Sequence, residues 1–180
     1  MEPIPREVVW LVSIVLIEAA LIDGRSLRVP NWLTYHFLVG GLIFAFYRGG
    51  TPFFLSSLAG ACVGLLTLLP LYAIGGMGAG DVKLMAGLGA WIGPWLTAWV
   101  FVSSAVVGAV IAVAMVVYSG AIWRHIAMLQ TIVEEVLSIR SPTRLSERAA
   151  ERKPTMLLLP YAIPIAAGSI AYFAGTGLLT

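Results

Sequence analysis

Charge is scarce in this chain of 180 residues, which has only 11 basic and 9 acidic side chains, or 11% charged residues. An ordinary soluble protein has roughly 25%. Hydrophobic residues make up 59% of the sequence. A chain this apolar cannot cover its own surface with polar groups in water, which excludes a soluble globular domain and a disordered chain. The composition predicts an all-α fold: a polytopic membrane helix bundle.

Several kinds of chemistry are also excluded by missing residues. Cys62 is the only cysteine, so neither an internal disulfide nor a CxxC zinc site can form. HExxH, GxSxG and Walker A motifs are absent, and neither His36 nor His125 has an obvious serine partner. We therefore expect no metal and no cofactor. The net charge of only +2 gives no indication of a nucleic-acid partner, and paired carboxylates remain as the available chemistry.

Six apolar runs suggest about six transmembrane helices in one membrane-embedded domain, 1–180. Gly24 could end the first helix, and Pro30 and Asn31 could start the second, with Asn31 as its N-cap. A glycine-rich stretch breaks the chain after the third run, and Pro94 separates the fourth from the fifth. The runs are 8–22, 32–47, 53–74, 84–93, 95–118 and 156–179.

The basic residues predict the orientation of these crossings. With the N-terminus outside, nine of the 11 basic residues fall on the cytoplasmic side, as the positive-inside rule requires. Segment 119–154 is then cytoplasmic, with an amphipathic helix over 121–139 on the membrane surface and a solvated loop over 140–154. The nine residues are Arg25, Arg28, Lys83, Arg124, Arg140, Arg144, Arg148, Arg152 and Lys153, which leaves Arg6 and Arg48 outside.

Two aspartates stand out at the membrane boundary. Asp81 follows the glycines at 78 and 80 at the start of the fourth run, where it could act in chemistry or only cap a helix. Asp23 ends the first run, where it could act in chemistry or pair with Arg25 or Arg28. The predicted topology puts both on the same face at the same depth. Carboxylates near hydrocarbon are costly, which favours a functional interpretation.

Two such carboxyl groups brought together would share a proton. The charged one could take a proton from water while the neutral one donates a hydrogen bond to a scissile carbonyl, which is acid–base hydrolysis. The same pair could instead serve as a proton relay. Glu18 falls on another helical face from Asp23, and we expect it to be a buried, hydrogen-bonded structural carboxylate. Lys83 could pair with Asp81 or anchor at the lipid headgroups.

These residues resemble a known family, the type IV prepilin peptidases, which are membrane aspartic proteases. Their GxGD motif is similar to the stretch 78–84, GAGDVKL, and their first aspartate motif is similar to Asp23-Gly24-Arg25 followed by VPNWLT at 29–34. The stretch 159–164, LPYAIP, is similar to their last-helix segment. The resemblance runs from about residue 8 to 175, and the two aspartate motifs at this spacing are specific.

The resemblance implies that Asp23 and Asp81 are the catalytic pair, with Gly78, Gly80, Lys83, Pro30 and Asn31 shaping the site or binding substrate. The implied reaction removes the basic leader from a prepilin or pseudopilin at the cytoplasmic face of the bacterial inner membrane, without metal. Many long members carry a cytoplasmic insertion with paired CxxC motifs and also N-methylate their product. Here the second run follows Asp23 closely and only Cys62 exists, so the chain resembles short members that serve tight-adherence (Flp-type) pili, and we do not predict methyl transfer.

Two other functions remain open at this point. One is a small proton-coupled transporter with the acidic pair as relay, although we find no internal repeat of the kind many transporters have. The other is a non-catalytic assembly factor with the same fold. The oligomeric state and the substrate's identity are not predicted.

Overall fold

The computed structural model describes residues 4–73, 75–120, 127, 130, 131, 134 and 159–179. Within these residues the regular structure is helical, which confirms the all-α prediction. The segments that position the site are α1 (Arg6–Ser26), α2 (Asn31–Ala73), α3 (Ala79–Tyr118) and α4 (Ala162–Gly175). The amphipathic helix and the loop predicted between 121 and 154 lie outside the described residues, apart from four isolated helical positions.

Helix α2 is broken at Gly49 and Gly50, where the backbone leaves helical geometry. Gly50 has φ of 64°, a left-handed conformation that glycine adopts without a Cβ penalty. Before the break, Gly41 packs against Ala90 of α3. After it, Gly60 packs against Gly89, and Gly64 packs against Met85 farther back along α3. The two halves of α2 therefore run in opposite directions along the same part of α3.

Helix α3 is broken in the same way at Gly93, with φ of 77°, directly before Pro94. Beyond this break the chain runs back alongside α4. Ser103 donates a hydrogen bond to the Gly168 carbonyl at 2.8 Å, and Gly108 packs against Pro164 nearer the start of α4. Since proline cannot donate the helical hydrogen bond and glycine permits the turn, the predicted separation of the fourth and fifth runs at Pro94 is confirmed.

The predicted start of the second helix at Asn31 is confirmed, whereas the predicted end of the first helix and the predicted capping role of Asn31 are wrong. α1 does not end at Gly24 but continues to Ser26, and Leu27 takes the left-handed C-cap position with φ of 51°. The amide of Leu27 donates to the Asp23 carbonyl at 2.7 Å, which closes the last turn. Asn31 is the first residue of α2, not its N-cap. Its side-chain oxygen accepts a hydrogen bond from Lys83 of α3 instead.

The outward surface of the bundle is apolar. Two helices, α2 and α3, are long and apolar enough to cross a membrane. Large hydrophobic side chains stand exposed along all four helices, a surface that water does not tolerate and lipid does. These side chains include Trp10, Ile14, Leu21, Ile43, Leu55, Leu66, Val106, Val113 and Ile163. A membrane protein is supported, whereas the number of crossings stays a prediction.

Candidate active site

Asp23 lies in the last turn of α1, immediately after the predicted crossing 8–22, with only 3% of its surface exposed. Its Oδ2 accepts a hydrogen bond from the backbone amide of Ala162 at 3.1 Å. Ala162 is the first residue of α4, where amides have no partner within the helix. The positive end of the α4 dipole therefore points at the Asp23 carboxylate. Among the described residues, Asp23 forms no ion pair with Arg25 or Arg28, so that alternative is wrong.

Two opposing effects act on the Asp23 carboxyl group. Burial raises its pKa above the ordinary value of 3.8, because the charged form loses water. The hydrogen bond from Ala162 lowers the pKa, because it stabilises the charged form. Burial is the larger effect, so Asp23 holds a proton more readily than an exposed aspartate.

Asp81 lies in the first turn of α3 and is also buried, with 6% of its surface exposed. Its Oδ2 accepts a hydrogen bond from the Gly78 amide at 3.1 Å. The capping role considered from the sequence is therefore present. It does not exclude chemistry, because a carboxyl group has two oxygens with several acceptor sites. Capping also fixes the direction of the Asp81 side chain.

The start of α4 brings these two aspartates into one region. Tyr161 precedes Ala162, and its phenol lies within electrostatic range of the Asp81 carboxylate. Asp23 bonds to the amide of Ala162 itself. Helices α1 and α3 barely touch each other, whereas α4 packs extensively against both. Asp23 thus contacts the first amide of α4, and the charge of Asp81 reaches the residue immediately before that amide.

The loop between α1 and α2 packs against the start of α3. A Cβ built on Gly80 would lie 2.8 Å from the Val29 carbonyl oxygen and 3.0 Å from its Cβ, closer than real side chains come. A Cβ on Gly78 would lie 3.3 Å from Asp81 Oδ2. The lack of a side chain at Gly80 thus lets the two segments touch, one residue before Asp81.

A side-chain contact joins the starts of α2 and α3. The Lys83 ammonium donates to Asn31 Oδ1 at 2.9 Å and lies 4.9 Å from the ring centroid of Tyr35. Such a cation–π contact adds to the hydrogen bond. Pro30 precedes this pair, and its carbonyl accepts from the Thr34 amide at 3.3 Å. Lys83 therefore links two helices, a role that neither sequence alternative named.

The prediction for Glu18 is wrong. Glu18 is exposed on the outer face of α1, not buried. Nearby residues of α1 that do face inward include Leu16 and Ala19, both with 0% exposure. Since one helical residue turns about 100°, a position between two inward-facing ones can still point outward.

Comparison with known proteins decides the family. A profile of the Type IV leader peptidase family matches residues 10–113, more than half of the chain. The chain belongs to the type IV leader peptidase family. The resemblance drawn from the two aspartate motifs is thereby confirmed, and both motifs lie inside the matched range.

Curated relatives of this chain carry the name prepilin leader peptidase/N-methyltransferase. The protein of Aeromonas salmonicida strain A449 is 35% identical over 113 residues, covering 59% of this chain and 38% of the relative. That of Neisseria gonorrhoeae is 37% identical over 119 residues, covering 62% and 40%. The chain thus aligns with about two fifths of the length of these relatives. No solved structure matches it significantly.

Sequence reasoning missed Tyr161 and Ala162 as members of the site. The profile match also ends well before them, at residue 113. The stretch LPYAIP was noted only for its family resemblance. Pro160 before Tyr161 could have indicated a helix start there, where unpartnered amides attract a carboxylate. Within the described residues no group of three or more His, Cys, Asp or Glu side chains could hold a metal ion.

Proposed function

We propose that this chain is a membrane aspartic endopeptidase that removes the leader from a prepilin or pseudopilin, with Asp23 and Asp81 as its catalytic residues. The observation that carries the proposal is that two buried carboxyl groups both act on the start of α4. Asp23 accepts the hydrogen bond of the Ala162 amide, and the charge of Asp81 reaches the Tyr161 phenol. Family membership supports the reaction class. The relatives named prepilin leader peptidase/N-methyltransferase support the substrate class.

The chemistry follows from the different surroundings of the two groups. Burial favours the protonated form of Asp23, which suits it to donate a hydrogen bond to the scissile carbonyl oxygen. Asp81 then takes a proton from water, and the water oxygen attacks the carbonyl carbon. The resulting tetrahedral species breaks its C–N bond as Asp81 passes that proton to the leaving nitrogen, which yields a carboxylic acid and a free amine. In this proposal the two carboxyl groups interact, so their apparent pKa values describe the pair and not either aspartate alone.

Lys83, Asn31, Pro30, Gly78 and Gly80 serve in this proposal as site-shaping residues. The hydrogen bond from Lys83 to Asn31 and the close packing of Gly80 on Val29 hold the start of α3 against the loop before α2. Asp81 lies between these two contacts in sequence. The glycine-rich stretch before it also offers room for a substrate segment to extend, because a peptide bond inside a helix resists attack.

The proposed placement is the bacterial inner membrane, with the aspartates at the cytoplasmic face. Support comes from the predicted concentration of basic residues on that side. A prepilin helix lies in the bilayer and its basic leader emerges where Asp23 and Asp81 are placed. The cut site then coincides with the membrane boundary. Methyl transfer is not part of the proposal.

The proposal is tested by coexpressing a tagged prepilin with Asp23→Asn and Asp81→Asn variants. Each substitution keeps the size of the side chain and removes the acid or base. A general acid or base contributes about 10²- to 10⁴-fold to a rate, so we expect each variant to lose cleavage, seen as loss of the mobility shift. Glu18→Gln is a matched control, because it neutralises an exposed carboxylate on the same helix.

Membrane fractionation must show that every variant inserts at the level of the parent chain. Cleavage at the parental rate by either asparagine variant would contradict the proposal. Loss of cleavage in Glu18→Gln as well would show that the effect is not specific to the pair. A proton relay would instead lose proton flux in the asparagine variants while the prepilin stays uncut by the parent chain.

A further inference from the structure

Tyr161 lies where the start of α4 meets the surroundings of both aspartates. Its carbonyl carbon is bonded to the amide nitrogen of Ala162, which lies 3.1 Å from Asp23 Oδ2. The charge of Asp81 reaches its phenol. The residue directly precedes α4 and is half-buried. Tyr161 is therefore coupled to both carboxyl groups, to Asp23 through the backbone and to Asp81 through its side chain.

Packing contacts independently place these residues at one end of the bundle. Val29, in the loop that follows α1, packs against Gly80, one residue before Asp81. The opposite end of the bundle is marked by a cavity whose lining includes residues before α1, at the break in α3 and after α4: Ile4, Gly93 and Leu178. The end of α1, the start of α3 and the start of α4 therefore lie together, away from that cavity.

The hydroxyl of Tyr161 is a donor that the protein itself does not use. The Ala162 amide donates to Asp23, and the next amide, that of Ile163, donates to the Pro160 carbonyl at 3.1 Å. The Tyr161 hydroxyl forms no hydrogen bond with any residue in the described part of the chain. A buried tyrosine usually has a partner for its hydroxyl. A bound peptide supplies one, since a carbonyl oxygen has two acceptor sites.

The charge that develops in the proposed reaction calls for such a donor. When water attacks, the carbonyl oxygen becomes an oxyanion, and in the mechanism given above only Asp23 donates to it. A second donor that is already in place adds to the stabilisation, because it does not reorganise as the charge forms. A phenol and a neutral carboxylic acid stabilise an oxyanion together in other enzymes. The positive end of the α4 dipole acts in the same direction.

We propose that the Tyr161 hydroxyl donates a hydrogen bond to the oxyanion of the tetrahedral species, beside the hydrogen bond from Asp23. The inference rests on the proposed peptidase reaction and adds a third group to it. The phenol keeps its proton throughout, so the proton transfers between water, Asp81 and the leaving nitrogen are unchanged. The interaction strengthens only as the oxyanion forms, so it raises kcat and leaves KM nearly unchanged.

The test is cleavage of a tagged prepilin by purified Tyr161→Phe over a range of substrate concentrations. This substitution keeps the ring and removes only the hydroxyl. Loss of one oxyanion donor costs about 100-fold or more in kcat, so we expect kcat to fall roughly 100-fold and KM to stay within about twofold. Tyr172→Phe is the matched control, because Tyr172 is also half-buried and lies about 17 Å farther along α4. The control should keep both parental values.

A second measurement isolates the hydrogen bond from any change in folding. The probe is a peptide that spans the cut site of the same prepilin, with a hydroxyethylene group in place of the scissile peptide bond. Its hydroxyl takes the position of the oxyanion, so Tyr161→Phe should bind it about fivefold more weakly than the parent chain, the size of one neutral hydrogen bond. The same peptide without that hydroxyl should bind both proteins equally.

Parental kcat in Tyr161→Phe, together with lost cleavage in Asp81→Asn, would overturn this inference and leave the proposed reaction standing. Parental cleavage by Asp81→Asn would instead remove the proposed reaction and the inference with it. A higher KM with unchanged kcat would replace the oxyanion contact by a contact with the unreacted substrate. Equal losses in Tyr161→Phe and Tyr172→Phe would also refute the inference, because the hydroxyl beside the aspartates would then have no special effect.

Discussion

Replacing Gly80 with alanine tests whether the loop before α2 holds the start of α3 in place. A Cβ at this position would meet three atoms of Val29, at 2.8 Å from its oxygen, 3.0 Å from its Cβ and 3.3 Å from its nitrogen. Two of these atoms belong to the backbone and cannot rotate away. Either the loop or the first turn of α3 must therefore move.

The size of the movement follows from these distances. Ordinary contact begins at 3.4 Å, so the 2.8 Å approach requires a shift of roughly 0.6 Å. Overpacking costs about 1–3 kcal/mol, and the higher helix propensity of alanine offsets about 1 kcal/mol of that. We expect a net loss of up to about 2 kcal/mol in stability. A displacement of 1 Å in a catalytic group can cost about 100-fold, so a smaller shift beside Asp81 should slow cleavage roughly tenfold.

The assay is the rate of prepilin cleavage by purified parent and variant, together with thermal unfolding of both in the same detergent. Gly175→Ala is the matched control, since a Cβ there meets nothing within 4 Å and the residue ends α4. We expect that control to keep its cleavage rate and to change stability by less than about 1 kcal/mol. Parental cleavage and stability in Gly80→Ala would refute the packing argument. Equal losses in the two alanine variants would refute its specificity.

Two further predictions concern the polar groups of the site. Lys83→Met removes the hydrogen bond to Asn31 and the contact with Tyr35, so cleavage should fall about tenfold. Lys83→Arg should restore part of the lost cleavage rate. If the losses of Lys83→Met and Asn31→Ala simply added in the double variant, a direct interaction between the two side chains would be contradicted. Burial raises the pKa of Asp23, so folding favours its protonated form. The protonated carboxyl group therefore adds to the stability of the folded chain. This contribution is complete below the ordinary pKa of 3.8 and is lost as the pH rises through the higher folded-state pKa. The parent chain should therefore lose stability relative to Asp23→Asn as the pH rises above 3.8. The measurement is the thermal unfolding temperature of both proteins at matched pH values. A parent chain that gained stability relative to Asp23→Asn over this range would refute the prediction.

The sequence was sufficient for properties that depend on composition and short patterns. Its scarcity of charge requires an apolar outer surface, which is what the helices present. Gly93 followed by Pro94 interrupts a helix wherever the pair occurs, since proline lacks the amide donor and glycine permits positive φ. The two aspartate motifs were likewise enough to identify the family.

Predictions from local sequence patterns failed where the role of a residue depends on a partner from another helix. Asn31 has the right residue type for an N-cap, but its side chain accepts from Lys83 on another helix. Glu18 was expected to be buried and hydrogen-bonded, yet the face that packs inward is the one carrying Leu16 and Ala19. Which face of α1 is covered depends on how α4 lies against it, and no pattern within α1 specifies that.

Composition and short motifs were sufficient to predict an apolar helical chain with two aspartates at the ends of apolar runs. The contacts of each aspartate depend on how helices far apart along the chain pack together. Helix α4 packs against both α1 and α3, so the amide of Ala162 reaches Asp23 while the adjacent Tyr161 lies within electrostatic range of Asp81. The first amides of any helix lack a partner within the helix. Which acceptor they bond to depends on how segments far apart along the chain pack together.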